Sequence, residues 1–230
     1  MSEPTTIPKE SKDRESHRSV VLLISIVLLF VLAPMLENTR TGGLLLLLNL
    51  YVTLVAAVIQ LAGKRKLFFG TIPIALTSIV LSWASHYYPT RALLFASHLV
   101  LVIFLSIVSI SLFTYLGKKG KITKNRLYVS VSVYFLLGLT WFALYNLINV
   151  VQPGSFTEAG APLSDDTHWS TILYFSLTTL TTLGYGDIVA VKPTARMIAT
   201  LEAVAGVLYV AITVARLVAA QSSPGDETSE

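Results

Sequence analysis

The sequence predicts an all-α membrane protein with six transmembrane helices and a re-entrant segment between the fifth and the sixth. Three observations predict this fold class. The chain has 230 residues, of which 53% are hydrophobic and only 13% charged, whereas about 25% of the residues of a soluble domain are charged. The charges are confined to short stretches between long apolar runs. A single Gly-Tyr-Gly segment interrupts the apolar pattern in the last quarter of the chain.

Six apolar runs provide the predicted membrane helices, because a helix needs about 20 apolar residues to cross a bilayer. Five runs contain no charged residue: 20–36, 41–63, 67–90, 92–117 and 127–157. The sixth run, 195–220, contains Glu202 and Arg216 and is otherwise apolar. The leader before the first run carries acidic residues and no small-residue cleavage pattern follows Leu36, so we expect an anchor rather than a cleaved signal peptide.

These runs divide the chain into five parts. Residues 1–18 are polar with mixed charge, which predicts a cytoplasmic tail without fixed structure. The first four runs form a four-helix peripheral domain, 19–117, whose connecting turns are short. A basic cytoplasmic linker, 118–126, leads to the last two helices in 127–220, and 221–230 is a short polar tail.

The distribution of basic residues predicts the orientation, because cytoplasmic loops collect Lys and Arg. Most of the 17 Lys and Arg residues fall on the side that holds both termini, so we expect a multi-pass protein of the plasma membrane with cytoplasmic termini. These charges flank membrane spans, which favours anionic lipid headgroups over nucleic acid as partners. The expected headgroup contacts are Lys64, Arg65, Lys66, Lys118, Lys119, Lys121, Lys124 and Arg126.

Residues 182–187, Thr-Leu-Gly-Tyr-Gly-Asp, can form a column of backbone oxygens that replaces the water around K⁺. Such a column needs consecutive carbonyls turned toward one axis, and glycines at alternate positions tolerate the dihedrals that this requires. The threonine hydroxyl can add an innermost ligand, the tyrosine can wedge the strand open, and the aspartate adds negative charge at the outer mouth. The candidate filter residues are Thr182, Leu183, Gly184, Tyr185, Gly186 and Asp187.

The same six residues could instead form a glycine-rich turn between two helices. The threonine-rich apolar run before them and the long apolar run after them favour a re-entrant loop, since irregular backbone at membrane depth must be buried or line a cavity. A short helix should begin near 164–167, where Ser, Asp and Thr can cap it, and end near Thr181. Gly-Tyr-Gly occurs once in the chain, so a four-stranded filter requires a homotetramer.

Residues 174–187 resemble, without gaps, the pore helix and filter of the potassium-channel superfamily, and the whole chain is similar to a bacterial six-helix member. The resemblance implies a pore domain, 127–220, in which the carbonyls of residues 182–185 and the Thr182 hydroxyl coordinate K⁺. Gly206 falls where relatives have an inner-helix hinge glycine. Four valines, Val207, Val210, Val214 and Val218, would then line the pore on one helical stripe. The alternative is that these valines face lipid.

Two departures from the family pattern matter. Leu183 replaces the commoner valine, which enlarges the side chain behind the filter and leaves its carbonyl in place. The fourth run has no Lys or Arg between Ala92 and Gly117, where voltage-gated relatives carry one at every third position. Each charge moved through 100 mV contributes about 2.3 kcal/mol, so an uncharged helix predicts weak or absent voltage dependence.

Glu202 lies inside the last run, where an ionisable group is costly unless it has a partner. We expect it to face away from the pore and to bond hydroxyls behind the filter, from Thr178, Thr179 or Tyr185. Two roles stay open at this point: a brace for the filter, or a proton sensor that affects gating.

These observations predict a protein without catalytic chemistry that lets K⁺, its permeant ion, cross the membrane passively. A nonselective cation channel of the same architecture is the first alternative. A small secondary transporter is the second, although transporters usually contain paired helix interruptions and this chain has one Gly-Tyr-Gly segment.

Overall fold

The computed structural model describes residues 9–36, 42–62, 64–117, 123–163 and 169–221, which form seven helices and three short strands. All the helices except α6 are long and apolar enough to cross a membrane, so the chain is a multi-pass membrane protein, as predicted. The elements are α1 (Lys9–Leu36), α2 (Gly42–Gln60), α3 (Arg65–Tyr87), α4 (Arg91–Leu116), α5 (Lys124–Val151), β1 (Phe156–Glu158), β2 (Ala161–Pro162), α6 (Trp169–Leu180), β3 (Ile188–Ala190) and α7 (Pro193–Gln221).

Two helices begin earlier than the charge pattern predicts. α1 begins at Lys9, inside the segment 1–18 for which we expected no fixed structure, and α5 begins at Lys124, inside the predicted linker. Polar residues such as Lys, Arg and Glu are good helix formers, and a helix that has already nucleated in an apolar run extends into them readily. Thr123 caps α5, since its hydroxyl accepts a hydrogen bond from the Arg126 backbone N–H at 3.4 Å.

The spanning helices alternate in direction, which gives the bundle two distinct ends. We call one the basic end, where α2 and α4 finish, α3 and α5 begin and α7 finishes; the other is the filter end. At the basic end Lys64 donates a hydrogen bond to the Ser111 carbonyl at 2.8 Å, and the Arg216 guanidinium of α7 lies 4.8 Å from the ring centre of Phe113 on α4.

α5 is the central helix of the fold. It packs against α4 and α1 of the peripheral helices and against α6 and α7 of the C-terminal region. Its buried residues, among them Leu136, Leu139 and Phe142, join the same apolar core as Phe104 and Leu105 of α4. Two of the four peripheral helices, α1 and α4, therefore pack directly against α5, whereas α2 and α3 pack mainly against other peripheral helices.

A cluster of polar side chains, which sequence reasoning did not identify, joins four helices at the basic end. Ser19 of α1 donates to the Asn125 side-chain oxygen of α5 at 2.5 Å, and Gln60 of α2 donates to Ser19 at 2.6 Å. The Asn125 amide nitrogen donates to the hydroxyl of Tyr115 on α4 at 3.3 Å. The cluster therefore links the peripheral helices to the start of α5.

A three-stranded antiparallel sheet of order β2-β1-β3 adds to the predicted all-helical fold at the filter end. Ala159 and Gly160 join β1 to β2 and both have positive φ, 48° and 83°, as a tight hairpin turn requires. β1 pairs with β3 through Glu158 opposite Ile188. Strands of two or three residues carry too little pattern to be predicted, yet this pairing ties the loop after α5 to the segment that follows residues 182–187.

We expect Asn125→Ala to lower the free energy of unfolding by about 1 kcal/mol, since it removes two hydrogen bonds between helices and each contributes about 0.6 kcal/mol in a membrane protein. Denaturant unfolding in detergent would measure the loss. Asn146→Ala is the matched control, because Asn146 lies on the same helix and bonds only to its own helix backbone, at the Phe142 carbonyl. Equal losses for the two variants would contradict a linking role for Asn125.

Candidate ion-conducting site

The C-terminal turn of α6 sets the start of the segment 182–187. The carbonyl of Thr178 accepts hydrogen bonds from the backbone N–H groups of Leu183 at 2.8 Å and of Gly184 at 3.1 Å. The Thr182 N–H bonds to the Thr179 carbonyl at 2.9 Å. These bonds satisfy carbonyls that a helix end leaves free. They also attach the segment to the helix, which ends at Leu180, within one residue of the prediction; its predicted start at 164–167 lies outside the described residues.

The sign of the backbone dihedral φ alternates along the segment. Thr182, Gly184 and Gly186 have φ of 58°, 50° and 82°, while the described residues between them, Leu183 and Tyr185, are not in this left-handed region. In an extended strand successive carbonyls point to opposite sides, whereas regular alternation of left- and right-handed residues turns them to the same side. The conformation is therefore one that can present consecutive carbonyl oxygens to a cation.

Thr182 adopts positive φ without being glycine, which is uncommon and strained for a β-branched residue. The hydrogen bonds from residues 182, 183 and 184 back to α6 hold it in this conformation. From the sequence we expected only the two glycines, Gly184 and Gly186, to adopt positive φ.

Asp187 is fixed at the other end of the segment. The hydroxyl of Tyr174 on α6 donates to its carboxylate at 2.8 Å, and the backbone N–H of Ile188 donates to the other carboxylate oxygen at 3.0 Å. The rings of Tyr174 and Tyr185 lie parallel, with their centres 6.5 Å apart. α6 therefore holds the segment 182–187 at both of its ends.

α7 passes the C-terminal end of α6 with almost no space between the two backbones. A Cβ added to Gly206 would overlap the carbonyl oxygen of Leu180 and lie 3.0 Å from the carbonyl carbon. One turn earlier on both helices, the Glu202 carboxyl lies 2.6 Å from the Ser176 hydroxyl. Its other oxygen accepts a hydrogen bond from Tyr145 of α5. Glu202 is completely buried.

We expected Glu202 to bond to the hydroxyl of Thr178, Thr179 or Tyr185, and this prediction was wrong, since its partners are Ser176 and Tyr145. The Thr178 hydroxyl donates to the Phe175 carbonyl of its own helix at 3.1 Å, and the Tyr185 side chain is exposed. Two residues along a helix is a rotation of about 200°, so Thr178 points away from the face on which Ser176 meets α7. No signal in the sequence distinguishes Ser176 or Tyr145 from the other hydroxyl residues, since the contact depends on how α5, α6 and α7 pack.

α7 leaves most of its circumference uncovered in the single chain. Its buried face is a narrow stripe that contains Ala195, Glu202 and Tyr209. Two apolar stripes at helical spacing remain exposed: Val207, Val210, Val214 and Val218 on one, and Met197, Leu201, Val204 and Leu208 on the other. A helix that is apolar on several sides is typical of a membrane span.

The comparisons with known proteins match the same part of the chain. Residues 129–222, from α5 to the end of α7, match the family model described as ion channel. Over 89 residues the chain is 32% identical to the inward rectifier potassium channel Kirbac3.1 of Paramagnetospirillum magnetotacticum. The chain carries an ion-channel domain of the potassium-channel superfamily. The predicted resemblance to this superfamily is thereby confirmed for the C-terminal region of the chain.

The similarity is confined to this channel domain. The alignment covers 39% of the chain and about a quarter, 26%, of the relative, and α1 to α4 lie outside the family match. No solved structure matches the chain. Within the described part of the chain, no group of three or more His, Cys, Asp or Glu side chains could hold a metal ion.

We expect Gly206→Ala to destabilise the channel domain by about 3 kcal/mol or more, the upper end for overpacking, because the overlapped atom belongs to backbone and cannot rotate away. Unfolding of the purified protein in detergent measures the change. Gly70→Ala on α3 is the matched control, since nothing lies within 4 Å of a Cβ built there. It should be neutral or stabilising, as Ala is the better helix former. Equal tolerance of the two substitutions would contradict the close contact between α6 and α7.

Proposed function

We propose that four copies of the chain form a potassium-selective channel that conducts K⁺ passively across the plasma membrane. The alternating backbone of residues 182–186, attached to the end of a helix inside a membrane protein, is the observation that carries this proposal. K⁺ channels dehydrate the ion with rings of backbone carbonyls. In this proposal the carbonyls of Thr182, Leu183, Gly184 and Tyr185, with the Thr182 hydroxyl, coordinate the ion.

The electrostatics of the pore helix support the same function. The C-terminal end of a helix carries partial negative charge, and α6 ends next to residues 182–187. Asp187 adds a carboxylate at the opposite end of the segment, held by Tyr174 and Ile188. A cation entering the segment therefore meets negative potential at both ends.

Assembly into a homotetramer follows from the geometry of a single strand. One chain supplies one set of carbonyls, and a ring needs four. The two uncovered stripes of α7 support this assembly. We assign the valine stripe to the pore, where a hydrophobic constriction can close by dewetting, and the stripe from Met197 to Leu208 to the neighbouring subunit. Gly206 keeps its proposed role as a hinge, in addition to its close contact with Leu180.

The orientation remains the one that the basic residues predict. Lys64, Arg65, Lys66, Lys124 and Arg126 lie at the basic end, which we place in the cytoplasm, next to anionic headgroups; Lys118, Lys119 and Lys121 lie outside the described residues. Both termini are then cytoplasmic, and the filter end opens outward.

Bi-ionic recordings of the purified protein in liposomes test the selectivity. We expect the reversal potential to follow the K⁺ gradient, and Gly184→Ala to abolish selective conduction, because the left-handed conformation costs a non-glycine residue about 1–2 kcal/mol in each of four filter strands. Gly160→Ala is the matched control. Gly160 also has positive φ and open space around it, but it lies in the β1–β2 turn.

Each alternative function has its own result in these recordings. A reversal potential that does not distinguish K⁺ from Na⁺ would replace the proposal with a nonselective cation channel. A transporter would turn over below about 10⁶ ions per second, the rate of the fastest enzymes. Unitary currents above that rate exclude it.

We expect the conductance to depend weakly on voltage, since α4 has no Lys or Arg after Arg91. Moving one elementary charge through 100 mV contributes about 2.3 kcal/mol, or about a fiftyfold change in an equilibrium. The open probability should therefore change by less than about fiftyfold over 100 mV. A steeper change in single-channel recordings would contradict the prediction and require a gating charge outside α4.

A further inference from the structure

Glu202 is a buried acid, and among the described residues of the channel domain its side-chain partners are hydroxyl groups rather than cations. Its side chain is completely buried between α7, α5 and α6. α5 has no charged residue after Arg126 and α6 has none at all. In the described part of the chain, the titratable groups that face it are the hydroxyls of Tyr145, which bonds to it, and Tyr134, which lies within electrostatic range. A carboxylate in this place would have no countercharge, at a depth where ionised side chains are costly.

The hydrogen bonds around Ser176 indicate where a proton must be. Its hydroxyl oxygen lies 2.8 Å from the Gly138 carbonyl oxygen and 2.6 Å from one Glu202 oxygen. A serine hydroxyl has one hydrogen and can donate only once. If Glu202 were a carboxylate, one of these two short contacts would join two oxygen atoms with no hydrogen between them.

A protonated Glu202 satisfies every group in this cluster. The carboxylic acid donates its proton to Ser176, Ser176 donates to the Gly138 carbonyl, and Tyr145 donates to the second carboxyl oxygen. Each hydrogen then has one acceptor. The same three bonds connect α7 to α6, α6 to α5 and α5 to α7, so a single proton completes a closed link among the three helices.

The link is continuous with the backbone that carries the filter. Ser176 lies two residues before Thr178. The Thr178 carbonyl accepts hydrogen bonds from the backbone N–H groups of Leu183 and Gly184. The Gly206–Leu180 contact one turn away prevents α7 from moving toward α6 to compensate for a lost bond. We therefore expect a change in the bonds of Ser176 to reach the end of α6, where the proposed filter begins.

We propose that Glu202 is a protonated acid that positions the pore helix, and that loss of its proton at alkaline pH reduces conduction. The second part of this inference, the effect of Glu202 deprotonation on conduction, rests on the proposed channel function. When the proton leaves, the carboxylate takes the Ser176 hydrogen, and the bond between Ser176 and the Gly138 carbonyl is lost. Conduction is then highest while the proton is bound and falls as the pH rises.

Infrared spectroscopy of the purified full-length protein tests the protonation without requiring any ion flux. We expect the C=O stretching band of a protonated carboxylic acid at neutral pH, and its loss in Glu202→Gln, because an amide replaces the acid. Glu158→Gln is the control, since Glu158 is an exposed glutamate on β1 and should leave the band in place. Absence of the band in the wild-type protein, or its persistence in Glu202→Gln, would overturn the proposal whatever the flux.

Potassium flux into liposomes, measured across a pH series, tests the proposed effect of Glu202 deprotonation on conduction. We expect wild-type and Glu158→Gln flux to fall as the pH rises. Glu202→Gln should conduct at every pH without this fall, since its amide can donate to Ser176 and accept from Tyr145 as the acid does. If the infrared spectrum shows the protonated acid but the wild-type flux does not change with pH, the gating role is overturned. If no variant conducts, the proposed channel function fails, while the infrared result still decides the protonation.

Discussion

The close contact of α6 with α7 is the constraint on which the rest of the channel domain depends. It is possible because Gly206 has no side chain where α7 passes the Leu180 carbonyl. The two helices run in the same direction there, so the residues one turn earlier, Ser176 and Glu202, also meet. This contact sets the depth at which α6 ends and therefore where residues 182–187 begin.

The conformation of those residues follows from how they are held. At one end the Thr178 carbonyl receives two N–H groups of the segment, and at the other Tyr174 holds Asp187. Thr182 stays in an unfavourable conformation because both ends are fixed, in agreement with the rule that local strain persists where the surrounding structure over-determines it. The β1–β3 pairing then directs the chain away from the segment toward α7.

The peripheral helices contact the channel domain through helix packing, hydrogen bonds and aromatic contacts. α4 and α1 pack along α5, and the polar cluster around Asn125 joins α1, α2 and α4 to its first turn. α4 also meets α7 directly, where Phe113 lies between Tyr209 and Arg216. Because α4 carries no Lys or Arg after Arg91, we expect these contacts to fix the positions of α5 and α7 rather than to couple them to the membrane potential.

The six membrane helices, the re-entrant helix and the family resemblance could be predicted from the sequence alone, because apolar run length and the order Thr-Leu-Gly-Tyr-Gly-Asp are local properties. The sequence also determined that Glu202 needs a partner, since an acid in an apolar run is costly wherever it points. That its partners are Tyr145 and Ser176 rather than Thr178 became clear from the packing of the helices. Partner choice depends on the rotation of each helix about its axis and on the crossing of α6 and α7, and no single stretch of sequence encodes either.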